Sequence, residues 1–126
     1  MRCVFRAHFA SSLPAHIVTA SASTASLDLL AINTIRTLAM DAVQKAESGH
    51  PGTPMALAPL VYRLYTTHMK HDPATPDWSD RDRFVLSVGH ASMVLYGALH
   101  MAGYNLPLQE IINFRRGAHS HRVIRK

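Results

Sequence analysis

The sequence predicts an incomplete α/β domain, mostly helical, with one parallel-type strand near Phe84–Ser87. Three observations predict it. Two long stretches carry apolar residues at helical spacing, a short uninterrupted apolar run follows them, and a Gly-His turn then leads that run into another helix. Helices that precede and follow a single late strand describe an α/β layer of which this chain delivers only the first strand.

From Leu27 to Glu47 the apolar positions Leu27, Leu30, Ala31, Ile35, Leu38, Ala39, Ala42, Val43 and Ala46 recur at intervals of three and four, the pattern of an amphipathic helix. Ser26 is placed to cap its first turn, and Ser48-Gly49 to end it, with glycine taking the left-handed conformation. A second helix is expected to start at Thr53-Pro54, cap followed by proline, and to run to about Met69, burying Leu57, Val61, Leu64 and Tyr65. Pro59 should bend it or delay its start. A proline-rich connection (His71-Asp72-Pro73 to Pro76-Asp77-Trp78) and a charged entry (Asp80-Arg81-Asp82-Arg83) lead to Phe84-Val85-Leu86, whose brevity and flanking turns suit a buried parallel strand. Ser87-Val88-Gly89-His90 turns the chain into a third helix, Ala91 to Ala102, stopped by Gly103. Leu106-Pro107 opens a shorter helix with Ile111, Ile112 and Phe114.

Composition narrows the function. The chain has 126 residues and is 48% hydrophobic, enough for one small domain. Its one cysteine, Cys3, allows neither an internal disulfide nor a thiolate metal cluster. No apolar run reaches the roughly 18 residues of a membrane span, so no membrane partner is expected. The net charge of +5 hints at nucleic acid, but residues 27–114 hold six basic side chains against eight acidic ones. The excess lies in the flanks, at Arg2, Arg6, Arg115, Arg116, Arg122, Arg125 and Lys126, so no basic folded face and no nucleic-acid partner is expected. Residues 1–26 contain no acid and are rich in Ser, Ala and Thr over Ser11–Ser26; they read as a disordered leader, or as the product of an upstream start codon, rather than a transit peptide, since only Arg2 and Arg6 are basic.

Two segments carry the features of a binding site, and they are alike: Ser48-Gly49-His50-Pro51-Gly52 and Ser87-Val88-Gly89-His90-Ala91-Ser92. Each sets a Gly-His pair on a turn just before a helix. Glycine allows close backbone approach, a helix N-terminus offers unpaired amides and a positive dipole end, and histidine adds a donor whose charge changes near neutral pH. Together they suggest a phosphorylated ligand. Against this stands the plainer reading of a turn histidine held by a backbone carbonyl. The other histidines favour that plainer reading: His68 and His71 flank a helix end, and His100 packs or caps. His119-Ser120-His121 lacks the partners of a metal site, and no metal ligands are assigned. Trp78 and the tyrosines read as packing groups.

Three blocks lift the turns above the plainer reading. Met40 through Met55, Lys70-His71-Asp72-Pro73, and Trp78 through Met93 resemble the opening blocks of transketolases, and the likeness continues through Gly103-Tyr104-Asn105-Leu106-Pro107 to Asn113-Phe114-Arg115. It covers about Leu27 to Arg116, so residues 27–116 read as part of a transketolase N-terminal, diphosphate-binding domain. The resemblance implies a thiamine diphosphate-binding fold and a transferase that moves a two-carbon ketol unit from a ketose phosphate to an aldose phosphate. It implies thiamine diphosphate and Mg2+ as cofactors, sugar phosphates as substrates, a homodimer, a place in the pentose phosphate pathway, and a cytoplasmic location. His50 would face the sugar and assist proton movement; His90 would contact the diphosphate, supported by Gly89 and Ser87.

The likeness stops after Arg116, where the family continues with Trp-Gly-Ser and then a Thr-Pro-Gly-His-Pro turn. Back-translated with one base inserted ahead of them, residues 117–126 spell Trp-Gly-Ser-Leu-Thr-Pro-Gly-His-Pro-Glu. The basic tail 117–126 is therefore expected to be read out of frame. The family's metal-binding Asp and Asn and its activating acid fall outside the sequence, so the chain is expected to be inactive alone. The alternatives are the N-terminal subunit of a split transketolase and a noncatalytic interaction protein.

Overall fold

A computed structural model describes residues 24–115. The expected tail 117–126, the paired histidines within it and most of the leader lie outside the described residues. Four α-helices follow one another: α1 (Thr24–Ala46), α2 (Gly52–Arg63), α3 (Ser92–Met101) and α4 (Leu108–Ile112). A π-helical turn (Leu64–His68) extends α2, and a 3-10 turn (Gly89–Ala91) opens α3.

The long helix α1 is the spine. Its Ile35 joins Ala58 and Val61 of α2 and Val94 and Ala98 of α3 in one buried cluster. Nearer its C-terminus, Ala39, Ala42 and Val43 join Met93, Ile111 and Phe114 in a second. As numbers rise along α1 they fall along its partner, so α1 and α3 pack antiparallel. They approach closely at Gly97, where an added Cβ would stand 3.3 Å from Ile35 Cγ2 and 3.7 Å from its Cα. Full burial of side chains such as Ile35, Met93, Val61 and Val94 contributes about 1.5–3 kcal/mol each.

The helix boundaries correct three expectations. Residues 24–26, assigned to the leader, are the first turn of α1, so Ser26 lies within the helix instead of capping it. Glu47, at φ 48°, takes the left-handed position that was expected of Gly49; its amide bonds back to Gln44 O at 3.1 Å and ends the helix. Helix α2 begins two residues early, with Pro51 as cap and Gly52 as its first residue, because Pro51 already has helical angles (φ −76°, ψ −23°) and its carbonyl accepts from the Met55 amide at 3.0 Å.

Pro59 lies inside α2 without delaying it. Lacking an N–H, it cannot donate to the carbonyl four residues back, that of Met55. Arg36 of α1 takes that acceptor instead, donating from Nε to Met55 O at 3.1 Å. The same side chain reaches Asn33 Oδ1 at 3.1 Å. A defect in one helix thus becomes a tie to the next.

Among the described residues no strand is assigned, so the strand expected near Phe84–Ser87 does not appear as one. Phe84 and Leu86 pack onto the α1–α2–α3 cluster while Val85 between them is 84% exposed, the in-and-out alternation of a pleated segment. A ladder needs a neighbour, and no described segment lies alongside. An apolar groove beside the run is lined by Tyr65, Met69, Phe84, Leu99 and Leu106; neither His50 nor His90 lines it.

The connection 70–82 is closed by reciprocal bonds: Asp82 N donates to Lys70 O at 2.9 Å, and Lys70 N to Asp82 Oδ2 at 2.8 Å. Within it Asp72 Oδ1 accepts from Ala74 N at 2.9 Å, and backbone donation holds its carboxyl below the usual range. His71 Nε2 donates to Tyr65 O at 2.8 Å, satisfying a carbonyl of the π-helical turn. The other ring nitrogen, Nδ1, lies within hydrogen-bond distance of Tyr104 Oη, at 3.2 Å. His100 Nδ1 donates to Leu106 O at 2.8 Å, which fastens the loop after Gly103. Gly103 stops α3 as expected, at φ 86°. Trp78 is 39% exposed and not a core residue.

Two outcomes are expected. Arg36→Ala should cost about 1–3 kcal/mol in urea unfolding by leaving Met55 O unpaired. On a Pro59→Ala background, which restores the helical donor, the same change should cost about 1 kcal/mol less. Burial pushes the Tyr65 phenol up to about 12 from 10.0. Its contribution to stability is complete below pH 10.0 and lost as pH rises towards about 12, and Tyr65→Phe should flatten that part of an alkaline unfolding profile.

Candidate functional site

The turn after α1 and the turn before α3 stand at the same end of an antiparallel helix pair. Residues 40 apart in sequence therefore meet: the His50 and His90 rings lie 5.7 Å apart between centroids, edge to face at 84°. Both rings are exposed, as are Ser87 and Gly89 beside them. The four residues singled out in the sequence all lie on these two turns.

Each turn is shaped by its glycine differently. Gly49 has φ 123°, a conformation closed to other residues without strain, and a Cβ there would stand 3.3 Å from Val43 Cγ2. Gly89 has nothing within 4 Å of its missing Cβ, so it leaves open space at the mouth of α3. The 3-10 turn Gly89–Ala91 closes through Ala91 N to Val88 O at 2.9 Å. The amides of Gly89 and His90 open that turn and have no acceptor within it.

Arg115 is a neighbour that sequence reasoning missed. Its Nη1 donates to Ser48 Oγ at 2.6 Å, across 67 residues. The guanidinium also lies over the Phe114 ring, 5.3 Å from its centroid. The only sequence signal was its place at the end of the transketolase-like stretch.

Two imidazoles, open amides at a helix entrance and an adjacent guanidinium make a donor-rich surface suited to an anion. Among the described residues no three His, Cys, Asp or Glu side chains gather where they could hold a metal ion. The donors on the two turns suit a phosphate-type anion such as a diphosphate. Among the described residues no helix is long and apolar enough to cross a membrane.

Comparison with known proteins defines first the class of domain. The family model described as "Transketolase, thiamine diphosphate binding domain" matches residues 27–122. Over 70% of the chain the fold superposes on a solved transketolase from Leishmania mexicana, with a TM-score of 0.67 and 51% identity, covering 13% of that chain. The transketolase of Halalkalibacterium halodurans is 59% identical over 90 residues, 71% of this chain and 14% of that protein. Transketolase 2 of Escherichia coli is 60% identical over 84 residues, 67% of this chain and 13% of that protein. The chain belongs to the transketolase family, within its N-terminal thiamine diphosphate-binding domain. It spans about one seventh of the length of these relatives, or 14% of the first.

Gly49→Ala should lower stability by about 1–3 kcal/mol in urea unfolding, through the strained φ and the Val43 contact. Gly52→Ala, in α2 with nothing within 4 Å of its Cβ, is the control and should be neutral or slightly stabilising.

Proposed function

We propose that this chain carries the diphosphate-side and sugar-side histidines of a transketolase site, in which a two-carbon ketol unit passes from a ketose phosphate to an aldose phosphate. The observation that carries the reading is the meeting of His50 and His90 from two turns of the same Ser-containing Gly-His type. His90, at the entrance of α3, would donate to a diphosphate oxygen, with the Gly89 and His90 amides and the open space at Gly89 admitting the anion. Ser87 would support the turn. His50, on the facing turn, would lie towards the sugar and move a proton at a substrate hydroxyl or carbonyl oxygen. Thiamine diphosphate, when bound, supplies the carbon nucleophile of ketol transfer.

The whole activity, its Mg2+, its sugar phosphate substrates, the homodimer and a cytoplasmic setting within the pentose phosphate pathway belong to the full-length relatives' reading and are part of the same proposal. So is the single-strand reading of Phe84–Ser87, supported by its alternating burial. The 126 residues by themselves should transfer no ketol units, which a transfer assay with thiamine diphosphate and Mg2+ checks. Residues 117–126 are read out of frame in this account; resequencing across the Arg116 codon tests that, and an intact frame there with no transketolase-like frame downstream would remove it.

The site roles are tested in the continuous reading frame with the missing base restored. His90→Ala should weaken thiamine diphosphate binding by about 10- to 100-fold, the equivalent of a lost charge-assisted hydrogen bond. His50→Ala should keep cofactor affinity and lower kcat by about 10²–10⁴-fold. Unchanged cofactor affinity in His90→Ala would remove the diphosphate role.

A further inference from the structure

The turn that bears His50 is held by little of its own. Within Glu47–His50, Glu47 sits at φ 48° and Gly49 at φ 123°, so two of four residues are in unusual backbone regions. The Glu47 amide bonds back into α1 and the Pro51 carbonyl forward into α2. Among the described residues, the hydrogen bond that joins the Ser48–His50 segment to a distant part of the chain is the one from Arg115 to Ser48 Oγ, at 2.6 Å.

Arg115 is well placed to act as that anchor. It lies over the Phe114 ring, and Phe114 is buried with Ala39, Ala42, Val43 and Met93. That cluster joins the end of α1 to the start of α3, so it carries both Gly-His turns. The guanidinium also runs along the turn itself, with Nη1 3.7 Å from the place a Gly49 Cβ would occupy. Arg115 itself is at φ 58°, a left-handed conformation that a non-glycine residue adopts sparingly.

We propose that Arg115 is a positioning residue: by donating to Ser48 Oγ from its seat on Phe114, it holds the Ser48–His50 turn so that the His50 ring faces His90. A planar, permanently charged donor lying over an aromatic ring does this better than an ammonium would. The functional meaning rests on the reading of the His50–His90 pair as the site. The geometry does not, and the test reads geometry alone, so the two ideas fail separately.

The experiment is proton NMR of the 126-residue chain, reading the cross-relaxation peak between the His50 and His90 rings. The Tyr96–Phe114 ring pair, edge to face in the core at 6.4 Å, serves as the internal control. In the unaltered chain both peaks should appear. Ser48→Ala and Arg115→Ala should each lose the histidine peak and keep the Tyr96–Phe114 peak, and Arg115→Lys should restore part of it. Should Arg115→Ala also lose the core peak, Ser48→Ala decides, since it leaves the Phe114 seat intact. A histidine peak undiminished in Ser48→Ala, or missing from the unaltered chain, overturns the proposal.

Discussion

The close antiparallel packing of α1 on α3 is the constraint on which the rest depends. It needs a helix face of small and branched residues on α1, and it needs Gly97 on α3 where Ile35 comes nearest. Once two helices pack antiparallel, the segment leaving one must lie beside the segment entering the other. Here those segments are the two Gly-His turns. The candidate site is therefore not assembled by long-range loops; it is the end of a helix pair.

The remaining elements stabilise that pair. Helix α2 completes the core at Ile35 and is tied to α1 through the Met55 carbonyl that Pro59 leaves free. Helix α4 and Phe114 close the other end, against Ala39, Ala42 and Val43. The 70–82 connection, fastened at Lys70 and Asp82 and by His71, returns the chain to the start of α3. Its histidine, His71, satisfies a backbone carbonyl, as a histidine near a helix end commonly does.

Much of this was legible in the sequence because it rests on local periodicity. The apolar spacing of 27–47 gave α1 to within a few residues, and Gly103 marked the end of α3 through its positive φ. What was not legible depends on partners. A glutamate in place of a glycine ended α1, Glu47 taking the left-handed φ of 48° while Gly49, two residues on, stands at φ 123°. The Phe84–Leu86 run has the side-chain alternation of a strand, but pairing is a property of two segments and cannot be read from one. The roles of Arg36 and Arg115 were not legible, since each donates to an acceptor 19 or 67 residues away, a separation no local pattern reveals. For the site, the residues and their likeness to transketolases were readable, while their edge-to-face approach came only with the helix pair.

The central claim is that the two Gly-His turns form one ligand site, with His90 on the diphosphate. The most direct measurement is a crystal structure of a full-length transketolase that carries residues 27–115 of this sequence, grown with thiamine diphosphate and Mg2+. The account predicts a His90 ring nitrogen within hydrogen-bond distance of a diphosphate oxygen and the His50 ring facing the same cavity. A diphosphate bound elsewhere, with His90 turned to solvent or to a protein carbonyl, would contradict it.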